Sequence, residues 1–137
     1  MKTTIFLAAL ALLLSAASCD KSQVQTDPFE LGAPFLLAPG EQYNCLDCDV
    51  SVSFTKVVSD SRCPLDVDCV WAGIAEVELS VETEGESQVI LLATVGENNR
   101  IIVGGYLFSL GAVNPYPTLQ NPIAQSDYRI TLTVTRL

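Results

Sequence analysis

Apolar and polar residues alternate along most of the chain beyond its first thirty or so positions. Val50, Val52 and Phe54 alternate with Ser51, Ser53 and Thr55. A period of two marks a strand with one buried face, and it predicts a strand over about 49–58. The stretch 74–82 alternates again, with Ile74, Val77, Leu79 and Val81 expected inside and Ala75 and the glutamates expected in water. Glu84-Gly85-Glu86 reads as a turn, and 88–95 as the return strand of a hairpin. Gly96-Glu97-Asn98-Asn99 is a second turn, Ile101–Val103 a short apolar run, and Gly104-Gly105 a further turn or bulge. Strands are expected over 106–113 and 128–135, the last rich in β-branched residues, with an edge strand near Phe35–Leu37. About seven short strands and no helical periodicity predict an all-β fold, an antiparallel sandwich or small barrel.

The first residues follow a different pattern. Lys2 precedes an unbroken apolar run from Ile5 to Leu14, and Ser15-Ala16-Ala17-Ser18 leads to Cys19. This is the three-part layout of a secretory signal. About ten apolar residues are too few for a spanning helix, which needs roughly 17–25. Small residues running directly into Cys19 resemble the lipobox of bacterial lipoproteins, whose thiol receives palmitate-type acyl chains. Ala16 stands where that pattern usually has Leu. Ordinary cleavage near Ser18, with plain secretion, is the alternative. The expected organisation is a signal peptide over 1–18, a lipidated Cys19 with a flexible tether to residue 33, and a β-domain over 34–137.

Charge narrows the partners. Loss of Lys2 with the signal leaves six basic side chains against sixteen acidic ones, a net charge of −10. A nucleic-acid partner needs clustered Lys and Arg to neutralise phosphates, so nucleic acid is not expected. The chain has no His, which removes His-based triads, His-ligated zinc and the commonest general base. Neither Lys21 nor Lys56 sits in a Ser–Lys motif. Sixteen acids leave paired carboxylates open, but small sandwich domains seldom enclose the cleft they need. No enzymatic activity and no cofactor are expected.

Four cysteines follow Cys19: Cys45, Cys48, Cys63 and Cys69. An exported chain meets oxidising conditions, so disulfides are the default. A strand over 49–58 spans roughly 33 Å, whereas bridged Cα atoms lie within about 7 Å. Local pairing, Cys63 with Cys69 and Cys45 with Cys48, is therefore simpler, although crossed pairings stay open. The C-x5-C spacing of the second pair does not match a zinc knuckle. Asp47 and Asp49 beside Cys48 would raise a thiol pKa, against a redox role.

The segment from Asp60 to Gly73, DSRCPLDVDCVWAG, is the most distinctive in the chain. It resembles a signature of small uncharacterised bacterial lipoproteins of the Bacteroidota type, in which D-S-R-C-P, a short gap, Cys and then W-A-G join two strands. The resemblance extends more loosely to Tyr106–Pro117 and to the strand beginning at Asp127-Tyr128. It implies no activity. It does imply that Cys63 and Cys69 belong together, and it favours an outer-membrane address, although Asp20 after Cys19 would suggest inner-membrane retention under enterobacterial sorting rules.

Two readings of this loop follow. In the favoured one it is framework: Asp60 and Ser61 cap a turn, Arg62 pairs with Asp60 or Asp66, Trp71 packs over the disulfide or the core, and Gly73 relieves crowding. In the other it is a binding loop, with Trp71 exposed as a stacking platform and Asp60, Arg62, Asp66 and Asp68 as ligand contacts. The expected function is a lipid-anchored envelope module that binds a protein, glycan or small ligand. A protease inhibitor using the closed 63–69 loop is one alternative. A divalent-cation domain using the aspartates around the cysteines is the other, although Asp66-Val67-Asp68 lacks the rest of an EF-hand loop.

Overall fold

The computed structural model describes residues 26–137, and the signal, Cys19 and the first part of the tether lie outside them. The strands are β1 (Thr26–Phe29), β2 (Pro34–Leu37), β3 (Gln42–Cys45), β4 (Val50–Asp60), β5 (Ala75–Thr83), β6 (Glu86–Ala93), β7 (Arg100–Val103), β8 (Tyr106–Asn114) and β9 (Arg129–Arg136). They form a five-stranded sheet, β1-β3-β4-β5-β6, and a four-stranded sheet, β2-β9-β8-β7. The sheets are not closed into a barrel. Every pairing is antiparallel except β1 with β3.

The alternating residues do what their period requires. Val52, Phe54, Val77, Leu79 and Val81 from one sheet meet Phe108, Ile130, Leu132 and Val134 from the other, all without exposed surface. Burying such side chains is worth roughly 1.5–3 kcal/mol each before chain entropy is counted. In β5 the inward track is Ala75, Val77, Leu79 and Val81. Ala75 is therefore buried and Ile74 is not, the reverse of the expectation, because 75 and not 74 shares the parity of 77. In β4 register shifts between Phe54 and Lys56 and between Val57 and Ser59 turn Val57 inward and leave Val58 exposed.

Two strands were not anticipated. β1 lies inside the expected tether, and its Phe29 is 3% exposed. Phe29 stacks on Phe35, with centroids 4.5 Å apart, and Phe35 stacks on Tyr43 at 5.6 Å. These rings close the seam where β1 and β3 face β2, so residues 26–33 belong to the domain. Pro28 fits because β1 is an edge strand. β3 is short and polar, and it pairs with Ser51–Ser53 of β4.

β4 runs toward one end of the sandwich, here called the loop end. The β4–β5 loop (61–74) and the β8–β9 connection (115–128) lie there. The β3–β4, β5–β6 and β7–β8 turns lie at the far end. β1 runs antiparallel to β4, with Thr26 level with Gln42 and Ser53. The chain therefore enters β1 from the loop-end side.

Candidate functional site: the loop end

Arg62 holds the loop end together. Its Nε and Nη2 donate to the two carboxylate oxygens of Asp60 at 2.8 and 2.6 Å, a bidentate pair. Nη1 donates to the Val113 carbonyl and Nη2 also to that of Pro115. The guanidinium lies 4.5 Å from the centre of the Tyr116 ring, within the range of a cation–π contact. Tyr128 Oη donates to Asp60 Oδ2 at 3.1 Å. The Arg62 and Asp60 side chains are only 3% and 9% exposed. This planar, five-donor group thus ties β4 of one sheet to β8 of the other, a geometry Lys does not supply.

Burial alone would raise the Asp60 carboxyl. Hydrogen bonds and attraction from Arg62, with a further hydrogen bond from Tyr128, outweigh it and hold the carboxyl below its ordinary value. Burial, together with the neighbouring Asp60 charge, pushes the Tyr128 hydroxyl up. Both shifts favour an ionised Asp60 under a neutral phenol.

The β4–β5 loop rises from this base. Ser61 N–H donates to the Ile74 carbonyl and Cys63 N–H to that of Ala72, both at 2.7 Å, prolonging the strand pair past Asp60. Gly73 sits between them at φ +66°, and a Cβ there would lie 1.8 Å from the Ser61 carbonyl oxygen. Only glycine fits. Cys63–Cys69 closes the loop with Cα atoms 5.9 Å apart, and Val67 N–H donates to the Pro64 carbonyl in a turn. Two contacts fasten the loop to its neighbour: Leu65 N–H to the Pro117 carbonyl, and Leu119 N–H to the Asp66 carboxylate, each at 3.0 Å.

What this base presents is apolar. Trp71 is 80% exposed and Val70 is 89% exposed, with Leu65 and Leu119 also largely in solvent. The expectation that Trp71 packs over the disulfide or core is overturned. The pairing of Ser61 and Cys63 with Ile74 and Ala72 leaves residues 70 and 71 at the outer part of the loop, and the interior is already filled by Phe54, Phe108 and Ile130. Of the two carboxylates expected to pair with Arg62, Asp60 does so in a buried site, and Asp66 instead accepts from the Leu119 N–H.

The other expected site residues lie elsewhere. Cys45–Cys48, Cα atoms 5.3 Å apart, closes the β3–β4 turn at the far end. Asp47, Asp49, Glu82 and Glu84 gather around it beside a broad open depression. Among the described residues no group of three or more carboxylate or cysteine side chains is arranged to hold a metal ion. Asp68 is exposed.

Sequence reasoning missed the receiving half of the site. Val113, Pro115, Tyr116 and Pro117 lie in the segment to which the resemblance loosely extends, but they matter through their carbonyls, one ring and their position, and nothing in the sequence assigned them that role. Gln125 was missed too. Its amide accepts from the Val57 N–H and donates to the Val57 carbonyl, at 2.9 and 2.8 Å, taking the place of a strand where β3 no longer covers β4.

Comparisons with protein-family models, with curated proteins and with solved structures find no match to this chain.

Proposed function

We propose that this chain is a lipid-anchored, non-enzymatic binding module of a bacterial cell envelope, and that its working surface is the loop end. The signal-like first eighteen residues and Cys19 support the anchor. The exposure of Trp71 on a loop fixed at its base supports the choice of surface. Exposed apolar side chains scattered singly need no explanation. Here Leu65, Val70, Trp71 and Leu119 belong to two loops fastened to each other. Closure by Cys63–Cys69 and clamping by Arg62 reduce the entropy lost when a partner binds.

The protease-inhibitor reading has one observation in its favour, an exposed Leu65 inside a disulfide-closed loop. The Pro64–Val67 turn weighs against it, because a substrate-like inhibitor presents an extended segment. The divalent-cation reading draws less support still, with Asp60 held by Arg62 and Asp66 by the Leu119 N–H.

In-cell photo-cross-linking tests the proposal. A photoreactive residue at position 71 should give discrete protein or lipid adducts. The same residue at position 89, exposed on β6, should give none. Adducts at both positions alike, or at neither, would contradict a working surface at the loop end.

A further inference from the structure

Three features of the molecule concern orientation. The first is the direction of the chain at Thr26. β1 runs opposite to β4, so Thr26, its first residue, is the one nearest the loop end. The second is reach. Six residues lie between Cys19 and Thr26, seven steps along the chain, and at most about 3.3–3.6 Å per residue this span covers no more than ~25 Å. Thr26 is level with Ser53, and seven residues of β4 carry the sheet from there to Asp60. A lipid on Cys19 therefore holds Thr26 within about 25 Å of the bilayer, and about the same length of β4 separates the level of Thr26 from the start of the β4–β5 loop.

The third feature is the contrast between the two ends. The loop end offers Trp71, Val70, Leu65 and Leu119, and residues 115–124 contain no charged side chain. Tryptophan favours the headgroup level of a bilayer, where its ring is shielded and its N–H stays wet. The far end exposes Leu46 and Leu137 singly among Asp47, Asp49, Glu82, Glu84 and Glu86, with Arg136 the nearby cation, whereas the acids of the loop end, Asp66, Asp68 and Asp127, are fewer. An anionic end has nothing to offer a surface of phosphate-bearing headgroups.

We propose that the loop end is a second membrane contact, with Trp71, Val70, Leu65 and Leu119 resting in the headgroup region of the bilayer that holds the Cys19 lipid. The bilayer is the occupant of the apolar patch, and the acidic far end points away from it. Exposed Asp66 and Asp68 beside the patch favour a zwitterionic surface over a strongly anionic one. This inference rests on the lipid-anchor reading and gives that reading an orientation. Several acyl chains on Cys19 would anchor the chain stably, and an interfacial patch adds a fixed tilt.

Trp71 is the sole tryptophan of the chain, so its fluorescence reports on the patch directly. The test uses the membrane-extracted, full mature chain reconstituted into phosphatidylcholine vesicles, some carrying a nitroxide near the headgroup. Trp71 emission should shift to the blue, lose at least half its intensity to the nitroxide lipid, and become several-fold less accessible to acrylamide. Val70→Asp, at an exposed position, should still float with the vesicles but lose most of the nitroxide quenching. Vesicles rich in phosphatidylglycerol should quench less than phosphatidylcholine. A chain that floats while Trp71 stays unquenched and open to acrylamide overturns the orientation and leaves the anchor standing. A chain that carries no acyl mass and stays off the vesicles overturns both.

Discussion

Arg62 is the residue on which the loop end depends, and its energetics follow from burial. Removing one partner of a buried, hydrogen-bonded pair leaves the other unpaired, at about 3–5 kcal/mol. Arg62→Ala should lower the urea-unfolding free energy by that amount. Arg62→Lys should recover little of it, because an ammonium cannot reach both Asp60 oxygens and two carbonyls together. Asp60 adds a pH signature. Its carboxyl titrates lower in the folded chain than in the unfolded one. The stabilisation is therefore complete above the unfolded value, about pH 4, and is lost as pH falls through the folded value. Unfolding midpoints measured between pH 7 and pH 2 should drop below about pH 4, and the part owed to this pair should vanish in Arg62→Ala. Gly73→Ala should be among the most damaging single changes in the loop, since the added carbon would strike the Ser61 carbonyl. Loss of hydrogen-exchange protection at Ser61 and Cys63 would register it.

At the scale of elements, the strands with a clean period of two were legible in the sequence, because alternation is the direct consequence of one buried face. β4, β5, β8 and β9 fall within two residues of their expected limits. β1 and β3 were not legible. Thr26-Asp27-Pro28-Phe29 and Gln42-Tyr43-Asn44-Cys45 are short edge or near-edge segments. Their place is set by the Phe29–Phe35–Tyr43 stack and by pairing across the sheet, which local pattern does not encode. The site was half legible. Spacing favoured the local cysteine pairing, with crossed pairings open, and placed Arg62 beside either Asp60 or Asp66. Trp71 was misjudged because composition favours burying a large ring, whereas loop geometry decides its fate. One prediction belongs to this scale. A loop of this length gains about 2 kcal/mol from its disulfide through loss of unfolded-state entropy. Replacing Cys63 and Cys69 together by Ser should lower stability by about that much and accelerate hydrogen exchange over 63–73, with the β5 amides unchanged. A larger loss, or exchange spread through β5, would mean that the loop braces the whole sheet.

For the whole molecule, the two open sheets give a rigid body with unlike ends, and the proposed anchor precedes the strand that enters from the apolar one. Phe29 links domain and tether. Phe29→Ala should cost about 3–5 kcal/mol as a large-to-small core change, measurable as a lowered thermal midpoint, and a far smaller loss would show that β1 is dispensable. Lipidation of Cys19 is the premise on which the anchor and the membrane orientation both stand. Intact mass of the membrane-extracted chain, with and without reduction, tests it most directly. The account predicts a chain that begins at an acylated Cys19 and gains two hydrogens for each of its two disulfides when reduced. A soluble chain that begins at another residue with no acyl mass would contradict it.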